Sequence, residues 1–286
     1  MSKQDKESKR KPYPSDVKDE DWAKISHHFV HHRKAGRQPT DPREKLNALL
    51  YLTRTGIAWE YLPHDFPPKS TVFDFYSELC ASGLIETMER DLAAKFREKL
   101  GRESTPSHGL IDSQSVKSGC GGEELGLDPH KKVHGRKRHM LIDTLGIILI
   151  VLVTAANVHD KTAAELMLRP KALESIPRLE SVSVDSAYRE LKLKTRAGDS
   201  IRVDVVEKLA GQKGFVPLPV RWRIERTNGW LMQWRRLTRD YERTVAHSRG
   251  MVFVAMTGIL LRWSRDSYDA PWLASARSLA ASAKSG

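Results

Sequence analysis

Two apolar runs joined by a tight turn place the strongest constraint on how this chain can fold. The runs "RHMLIDT" (138–144) and "IILIVLVTA" (147–155) are apolar at consecutive rather than alternate positions. This pattern is typical of strands that are covered on both faces. The stretch 140–158 is long enough to span a bilayer, but it contains Asp143 and Gly146 and many β-branched residues. We therefore predict a buried hairpin and no membrane segment.

Composition narrows the class of protein. The chain has 286 residues, enough for one large or two modest domains, and a net charge of +12 with a pI near 9.7. Such a charge favours a polyanionic partner such as double-stranded DNA. Two cysteines make neither a disulfide framework nor a zinc ribbon, and the charged amino terminus lacks a signal peptide. A cytoplasmic location, on the bacterial nucleoid, is expected.

The first third of the chain has helical patterns. A basic tail (1–11) is expected to be disordered, and helices are predicted over 15–30, 41–56, 70–83 and 84–102 within an all-α region (12–105). The Pro-containing turn between the second and third helices resembles a helix-turn-helix, with residues 70–82 as the recognition helix. Any small helical bundle gives the same pattern. The DNA contacts expected there are Lys69, Ser70 and Thr71.

From residue 109 the pattern changes to alternating strands and helices. Three strands that include the hairpin precede a helix (160–176), a fourth strand ending in "VSVDSAY", a helix over 189–198 and a strand over 201–208. A long basic helix (220–242) and an apolar helix (243–265) follow. This order predicts an α/β fold of the ribonuclease-H-like type: a mixed five-stranded sheet with helices on both faces. The predicted domain spans 106–268, with a flexible tail (269–286).

Three acids stand out against this order. Asp112 lies in the middle of the first strand and Asp185 at the end of the fourth, and these strands are neighbours in the predicted sheet. Glu225 is the only acid between residues 208 and 239. Its helix is predicted to turn a stripe of four side chains toward the core: Ile224, Thr227, Leu231 and Trp234. The alternative for Glu225 is a surface ion pair among arginines.

A cluster of carboxylates requires cations, because like charges repel. Hard oxygen ligands that leave open positions suit Mg²⁺, for which Mn²⁺ can substitute, shared with a phosphate group. Two such ions support in-line displacement at phosphorus. Basic residues nearby are expected to hold the DNA backbone: Lys117, Lys131, Lys132, Arg136, Lys137, Arg138, Arg221, Arg226, Arg235 and Arg236.

Other polar residues have simpler interpretations. "HHFVHH" (27–32) pairs histidines at helical i,i+4 spacing, but without an HExxH order or a nearby cysteine a helix end or DNA contact is favoured over zinc. Asp143 is predicted to stabilise a turn. Asp160 is expected to cap a helix, with a supporting catalytic role left open. The tryptophans of the basic helix are expected to anchor the core: Trp222, Trp230 and Trp234.

Several motifs in order carry a family resemblance over about 12–265. They include "RTGIAWEYLPHDFPPKSTVFDFY", "IDSQSVKS", "KKVHGRKRHMLIDTLG", "ANVHD", "VDSAY" and "WRIERTNGWLMQWRRLTRDYER". The chain resembles bacterial insertion-sequence transposases of the DDE type, in the branch named after insertion sequence five within the IS4-like group. The resemblance implies Mg²⁺-dependent cleavage at transposon ends and transfer of the freed 3′-hydroxyl into target DNA. Its triad falls on Asp112, Asp185 and Glu225.

The chain departs from the wider group at two flanking positions. The group's tyrosine slot holds Leu218 and its lysine slot holds Met232, so Arg235 or Arg236 is expected to supply the phosphate contact. Cutting two transposon ends requires two active sites, which predicts a homodimer on DNA. Two alternatives stay open: a metal nuclease of the same fold without strand transfer, and a DNA-binding derivative that has lost catalysis.

Overall fold

A computed structural model of the chain describes residues 10–29, 40–185, 188, 201–206, 221–269 and 272–273. The helix predicted over 189–198, the tail residues 1–9 and 274–286, and the histidines at 31 and 32 lie outside the described residues. For Arg221 only the backbone is described.

The amino-terminal region is all-helical, as predicted. Its helices are α1 (Asp19–Ile25), α2 (Pro42–Thr55), α3 (Lys69–Ser82) and α4 (Leu84–Lys99), and short 3₁₀ turns cover Ser26–Phe29 and Trp59–Tyr61. Gly56 and Gly83 end α2 and α3 in the left-handed conformation, with φ of 77° and 70°. Glycine adopts this conformation at little cost, so both helix ends could be predicted from the sequence.

Six strands form one mixed sheet among the described residues. They are β1 (His108–Lys117), β2 (Gly126–Asp128), β3 (Val133–Asp143), β4 (Ile148–Ala155), β5 (Ser181–Val184) and β6 (Arg202–Val205). The order is β2-β3-β1-β5-β6, and β4 also pairs with β3. β1 runs antiparallel to β3 and parallel to β5. The short β2 is the one strand that the five-stranded prediction missed.

The apolar run forms a hairpin within this sheet. β3 and β4 pair antiparallel, and the Asp143 carboxylate accepts hydrogen bonds from the backbone N–H groups of Leu145 (2.8 Å) and Ile147 (2.9 Å). The predicted turn role of Asp143 is therefore confirmed, and its other oxygen pairs with Arg97 of α4. Among the described residues, no helix has the length and apolarity needed to cross a membrane.

The described part of the carboxyl-terminal half adds four helices: α5 (Asp160–Met167), α6 (Pro170–Leu173), α7 (Arg221–Met232) and α8 (Val245–Trp263). The prediction of one helix over 220–242 was wrong, because α7 ends at Met232 and a 3₁₀ turn follows at Arg235–Leu237. Both Trp234 and Arg236 are buried. After α7 the chain turns, and the Arg236 side chain reaches Glu242 and the Ile57 carbonyl.

Helix α8 joins the two predicted domains into one core. It packs against α2, α3 and α4 on one side and against β4 on the other. Gly258 makes one close approach possible, since a side chain there would overlap the Trp234 ring. A single hydrophobic cluster accordingly contains residues from the amino-terminal helices, the hairpin and α8.

A buried polar network connects β3 to the segment between α7 and α8. The Arg136 guanidinium is fully buried and donates to the backbone carbonyls of Glu123, Glu242 and Arg243 at 2.6–2.9 Å. It also lies 3.3 Å from a carboxylate oxygen of Asp240. Breaking a buried pair leaves the other charge uncompensated, which is costly.

We expect Arg136→Met to lower the free energy of unfolding by about 3–5 kcal/mol, because it leaves Asp240 buried without its cation. Urea denaturation followed by circular dichroism measures the change. Arg239→Met, at an exposed position in the same segment, serves as the matched control and should change stability by less than about 0.5 kcal/mol. Equal effects of the two substitutions would contradict a structural role for Arg136.

Candidate active site

The parallel pairing of β1 with β5 brings the first two predicted acids together. Leu110 pairs with Ser183, and continuing this register by two residues places Asp112 beside Asp185, where the ladder ends. Neighbouring strands lie about 4.8 Å apart. Both acids line the same small cavity of about 20 Å³, roughly the volume of one water molecule. The sheet topology therefore brings Asp112 and Asp185 to one cavity, and their role as metal ligands stays a prediction.

Tyr188 is a site residue that sequence reasoning did not single out. Its backbone N–H donates to the Asp185 carbonyl (3.1 Å), and its side chain is buried. Burial raises the pKa of the Tyr188 hydroxyl above its usual range, and the charges of three neighbouring carboxylates raise it further: Asp160, Asp112 and Asp185. The position of this tyrosine in "VDSAY", three residues after the acid, was the available signal.

Glu225 lies on α7, which packs against β1. The helix is oriented as predicted, because its predicted inward stripe is buried: Ile224, Thr227, Leu231 and Trp234. Ile224 lines the same cavity as Asp112 and Asp185, while the adjacent Glu225 is exposed. The structure thus brings the backbone of the third acid to the edge of the two-carboxylate site.

The ligand atoms of Asp112, Asp185 and Glu225 do not all lie within 4.8 Å of one another. Within the described ranges, the one group of three Asp, Glu, His or Cys side chains whose ligand atoms lie within 4.8 Å of one another is elsewhere, at His27, His28 and Asp91. Mutual repulsion among three carboxylates opposes a closer approach. The expectation that all three converge on one ion therefore remains a prediction for the metal-bound state.

A second polar layer lies behind the site. The Asp160 carboxylate is 3.1 Å from the Lys137 ammonium and 3.7 Å from Nδ1 of His139. Burial lowers the pKa of His139 to about 4, although the nearby Asp160 charge opposes this shift. Asp160 is the first residue of α5, and His159 rather than Asp160 occupies the N-cap position. Its position beside Tyr188 supports the role that the sequence left open.

The basic loop before β3 is held toward β1. The Asp128 carboxylate accepts hydrogen bonds from Ser115 Oγ (2.6 Å) and from the backbone N–H groups of His130 and Lys131 (3.0 Å each). Burial opposes ionisation of Asp128, but these hydrogen bonds and Lys137 lower its pKa. The Lys131 ammonium lies 3.3 Å from the Ser113 carbonyl, one residue from Asp112. An exposed lysine therefore stands next to the acid site.

The predicted DNA contacts divide into exposed and buried groups. Exposed ones are Lys69, Ser70, Lys117, Lys131, Lys132 and Arg235, and Thr71 is partly exposed. Arg226 is partly buried and donates to the Leu145 carbonyl (2.8 Å). Four other residues are buried in polar networks, so their assignment to the DNA surface needs correction: Arg136, Lys137, Arg138 and Arg236.

The buried cations have partners within the protein. Arg138 donates to the Leu237 carbonyl (2.8 Å), and Lys137 donates to the Val158 carbonyl (3.0 Å). Arg236 pairs with Glu242 (2.9 Å) and donates to the Ile57 carbonyl (2.7 Å). Alternation along β3 could not reveal this, because both faces of the strand are covered. Arg235 is left as the exposed candidate for the phosphate contact.

The donor set of the acid site fits a divalent metal ion. Two carboxylates share one water-sized cavity, and a third lies on the adjoining helix. Carboxylate oxygens are the ligands that Mg²⁺ and Mn²⁺ prefer. Burial, and then the charges of Asp160, Asp112 and Asp185, raise the pKa of the Tyr188 hydroxyl, as expected where negative charge is concentrated. Such a site defines a class of metal-dependent enzymes that act on phosphate esters.

Comparison with known proteins places the chain within this class. Residues 103–260, more than half of the chain, match the family described as "Transposase DDE domain". The chain belongs to this family. Membership implies a ribonuclease-H-like fold and phosphoryl transfer with divalent metal ions. Residues 17–88 match a second family, described as "Putative transposase of IS4/5 family (DUF4096)".

One curated relative from Burkholderia cepacia, "Putative transposase for insertion sequence element IS402", is 28% identical over 141 residues. The alignment covers 47% of this chain and 65% of the relative, which is less than two thirds of its length. No solved structure matches the chain. The resemblance drawn from the sequence motifs is confirmed at the level of the family.

The buried His139 predicts a dependence of stability on pH. Between pH 6.5 and about 4 the unfolded chain protonates this histidine while the folded chain does not, so stability falls as the pH falls. We expect His139→Gln to remove roughly 2–3 kcal/mol of this acid-induced loss. Urea denaturation at pH 7 and pH 4.5 provides the measurement. The exposed His130→Gln variant should lose as much stability at pH 4.5 as the unaltered chain does. An equal loss in His139→Gln would show that His139 is not its source.

Proposed function

We propose that this chain is a DNA transposase that cuts the ends of an insertion sequence and joins them to target DNA. The observation that carries the proposal is the parallel pairing of β1 with β5, which places Asp112 beside Asp185 in one cavity. Family membership supports the reaction class. The similarity of "VDSAY" and "WRIERTNGW" to family motifs supports Asp185 and Glu225 as the other members of the triad.

Asp112, Asp185 and Glu225 would hold the divalent metal, for which we propose Mg²⁺ with Mn²⁺ as a substitute. When bound, the metal supplies charge stabilisation at the phosphate that reacts. The chain's own residues prepare this site. β1 and β5 fix the spacing of the two aspartates, and Tyr188 packs behind them. Helix α7, anchored by its buried stripe, positions Glu225 at the edge.

A strip of exposed cations is proposed to hold the DNA backbone beside the acids. Lys117 lies at the end of β1, and Lys131 and Lys132 lie in the loop that Asp128 orders. Arg235 is exposed just after α7. These charges stand outside the polar networks that occupy the buried arginines, so they are available to neutralise phosphates.

The amino-terminal helices are proposed to recognise the transposon ends. The start of α3 offers Lys69, Ser70 and Thr71, but its exposed face also carries Asp74 and Glu78, which repel phosphates. Residues 56–68 separate α2 from α3, a longer connection than the short turn of a helix-turn-helix. We therefore place the contact at the amino end of α3 rather than along it. A homodimer on DNA would supply the two active sites.

We expect Asp112→Asn, Asp185→Asn or Glu225→Gln to reduce both cleavage and strand transfer by about 1,000-fold or more. Each change removes a metal ligand, and the metal is worth several kcal/mol of transition-state stabilisation. The assay combines the protein, Mg²⁺, a labelled DNA fragment carrying a transposon end, and a target plasmid. The products are resolved on a gel, so that cut ends and joined ends are counted separately.

Glu180→Gln, at an exposed position just before β5, is the matched control and should retain full activity. Joined products from the unaltered chain establish a transposase. Cut ends without joined products would point to a nuclease of the same fold. Binding of end fragments without any cutting would instead indicate a DNA-binding protein. A fully active Asp112→Asn variant would show that Asp112 is not a catalytic residue.

The proposed strip of exposed cations predicts how the affinity for DNA depends on salt concentration. We expect Lys131→Ala combined with Lys132→Ala to weaken DNA binding and to reduce the slope of log affinity against log salt by about 2. Fluorescence anisotropy over a series of salt concentrations measures this slope. The same charge change on α4, Lys95→Ala with Lys99→Ala, should leave the slope unchanged. An unaltered slope in the Lys131→Ala, Lys132→Ala variant would show that this loop does not contact the DNA phosphates.

A further inference from the structure

A second group of metal-ligating side chains lies in the amino-terminal region, away from the acid site. His27 and His28 occupy the 3₁₀ turn Ser26–Phe29 that follows α1, and Asp91 lies on α4. Helix α1 packs on α4, and the Lys95 ammonium of α4 reaches the Lys24 carbonyl at 3.3 Å. The packing of two helices therefore brings together residues that are distant in the sequence.

The geometry matches a small coordination sphere. Nε2 of His28 is 3.1 Å and Nε2 of His27 is 3.7 Å from the same carboxylate oxygen of Asp91. The two imidazole rings are 4.1 Å apart, centroid to centroid. Ligand atoms bound tetrahedrally to one ion at about 2.0–2.1 Å are separated by about 3.3 Å. The observed separations are therefore close to those that one ion would impose.

The state of His28 points to a ligand. Its side chain is only 8% exposed, and Nε2 is buried without a hydrogen-bond partner from any residue that the structure describes. It faces a carboxylate oxygen of Asp91 at 3.1 Å. An imidazole nitrogen and a carboxylate oxygen that face each other can both bind one metal ion.

The donor types select the ion. Two imidazole nitrogens and one carboxylate suit Zn²⁺ and other first-row transition metals, whereas Mg²⁺ prefers oxygen ligands alone. Three protein ligands leave one tetrahedral position for water. His27 and Asp91 are about half exposed, so the cluster is open to solvent on one side.

We propose that His27, His28 and Asp91 form a Zn²⁺ site that fastens the 3₁₀ turn after α1 to helix α4. The site differs in donor chemistry and in location from the oxygen site at the ends of β1 and β5. A bound ion links elements from two ends of the helical region, and binding to the folded chain alone stabilises it. The role is structural, and it does not depend on transposition chemistry.

The test uses the full chain, stripped with a chelator and then kept in millimolar Mg²⁺ to occupy the oxygen site. Zn²⁺ is titrated by isothermal calorimetry, and bound metal is counted by mass spectrometry after dialysis. We expect one Zn²⁺ per chain and a rise in Tm of about 5 °C or more at saturation. Co²⁺ bound in its place should give the visible absorption of a tetrahedral site.

Five variants, with Asp112→Asn among them, separate this site from other sources of binding. His28→Ala and Asp91→Asn should each weaken Zn²⁺ binding by at least about 10–100-fold, the loss expected even from an indirect contact to a ligand. The exposed His64→Ala variant should bind as the unaltered chain does. A double variant, His31→Ala with His32→Ala, tests whether the four histidines of "HHFVHH" (27–32) bind the metal without Asp91.

Retention of binding in the double variant and its loss in Asp91→Asn would support the site. Loss in the double variant together with normal binding by Asp91→Asn would overturn it in favour of the histidine tract. Binding that disappears only in Asp112→Asn would assign the Zn²⁺ to the acid site and overturn the proposal. The absence of any Zn²⁺ binding at micromolar concentrations would overturn it as well.

Discussion

Strand β1 is the element on which the rest of this molecule depends. It pairs antiparallel with β3 along nearly its whole length and parallel with β5 at its amino-terminal end. Because a parallel ladder fixes register, residues two positions beyond its last pair, Leu110 with Ser183, also come side by side. This constraint places Asp112 next to Asp185, and it leaves α7 to bring Glu225 to the same edge.

The net charge of the chain overstates the positive charge on its surface, because several cations are buried. A total of +12 suggests a broad DNA-binding surface, yet several arginines of β3 and of the segment after α7 are buried. Arg136, Arg138 and Arg236 donate to the backbone carbonyls of Glu242, Leu237 and Ile57, respectively. These cations stabilise the fold rather than a ligand. The exposed cations that we propose for DNA binding are fewer, and they lie at the start of α3, at the end of β1, in the loop before β3 and just after α7.

The amino-terminal helices and the sheet depend on each other through α8. This apolar helix is buried along most of its length between α4 and β4, so movement of the helical region would expose a large apolar area. End recognition and chemistry are therefore proposed to occur on one rigid unit. The buried contact between Arg97 of α4 and Asp143 of the hairpin strengthens the same connection.

Features that depend on local patterns could be predicted from the sequence. Glycines at 56 and 83 marked two helix ends, consecutive apolar residues marked the hairpin, and the stripe from Ile224 to Trp234 oriented α7. Long-range contacts determine which cations are buried, where α7 ends and which carboxylate faces His28. The physical reason is distance along the chain. Arg136 finds its partners near residue 240 and His28 finds Asp91, and periodicity carries no information about such contacts.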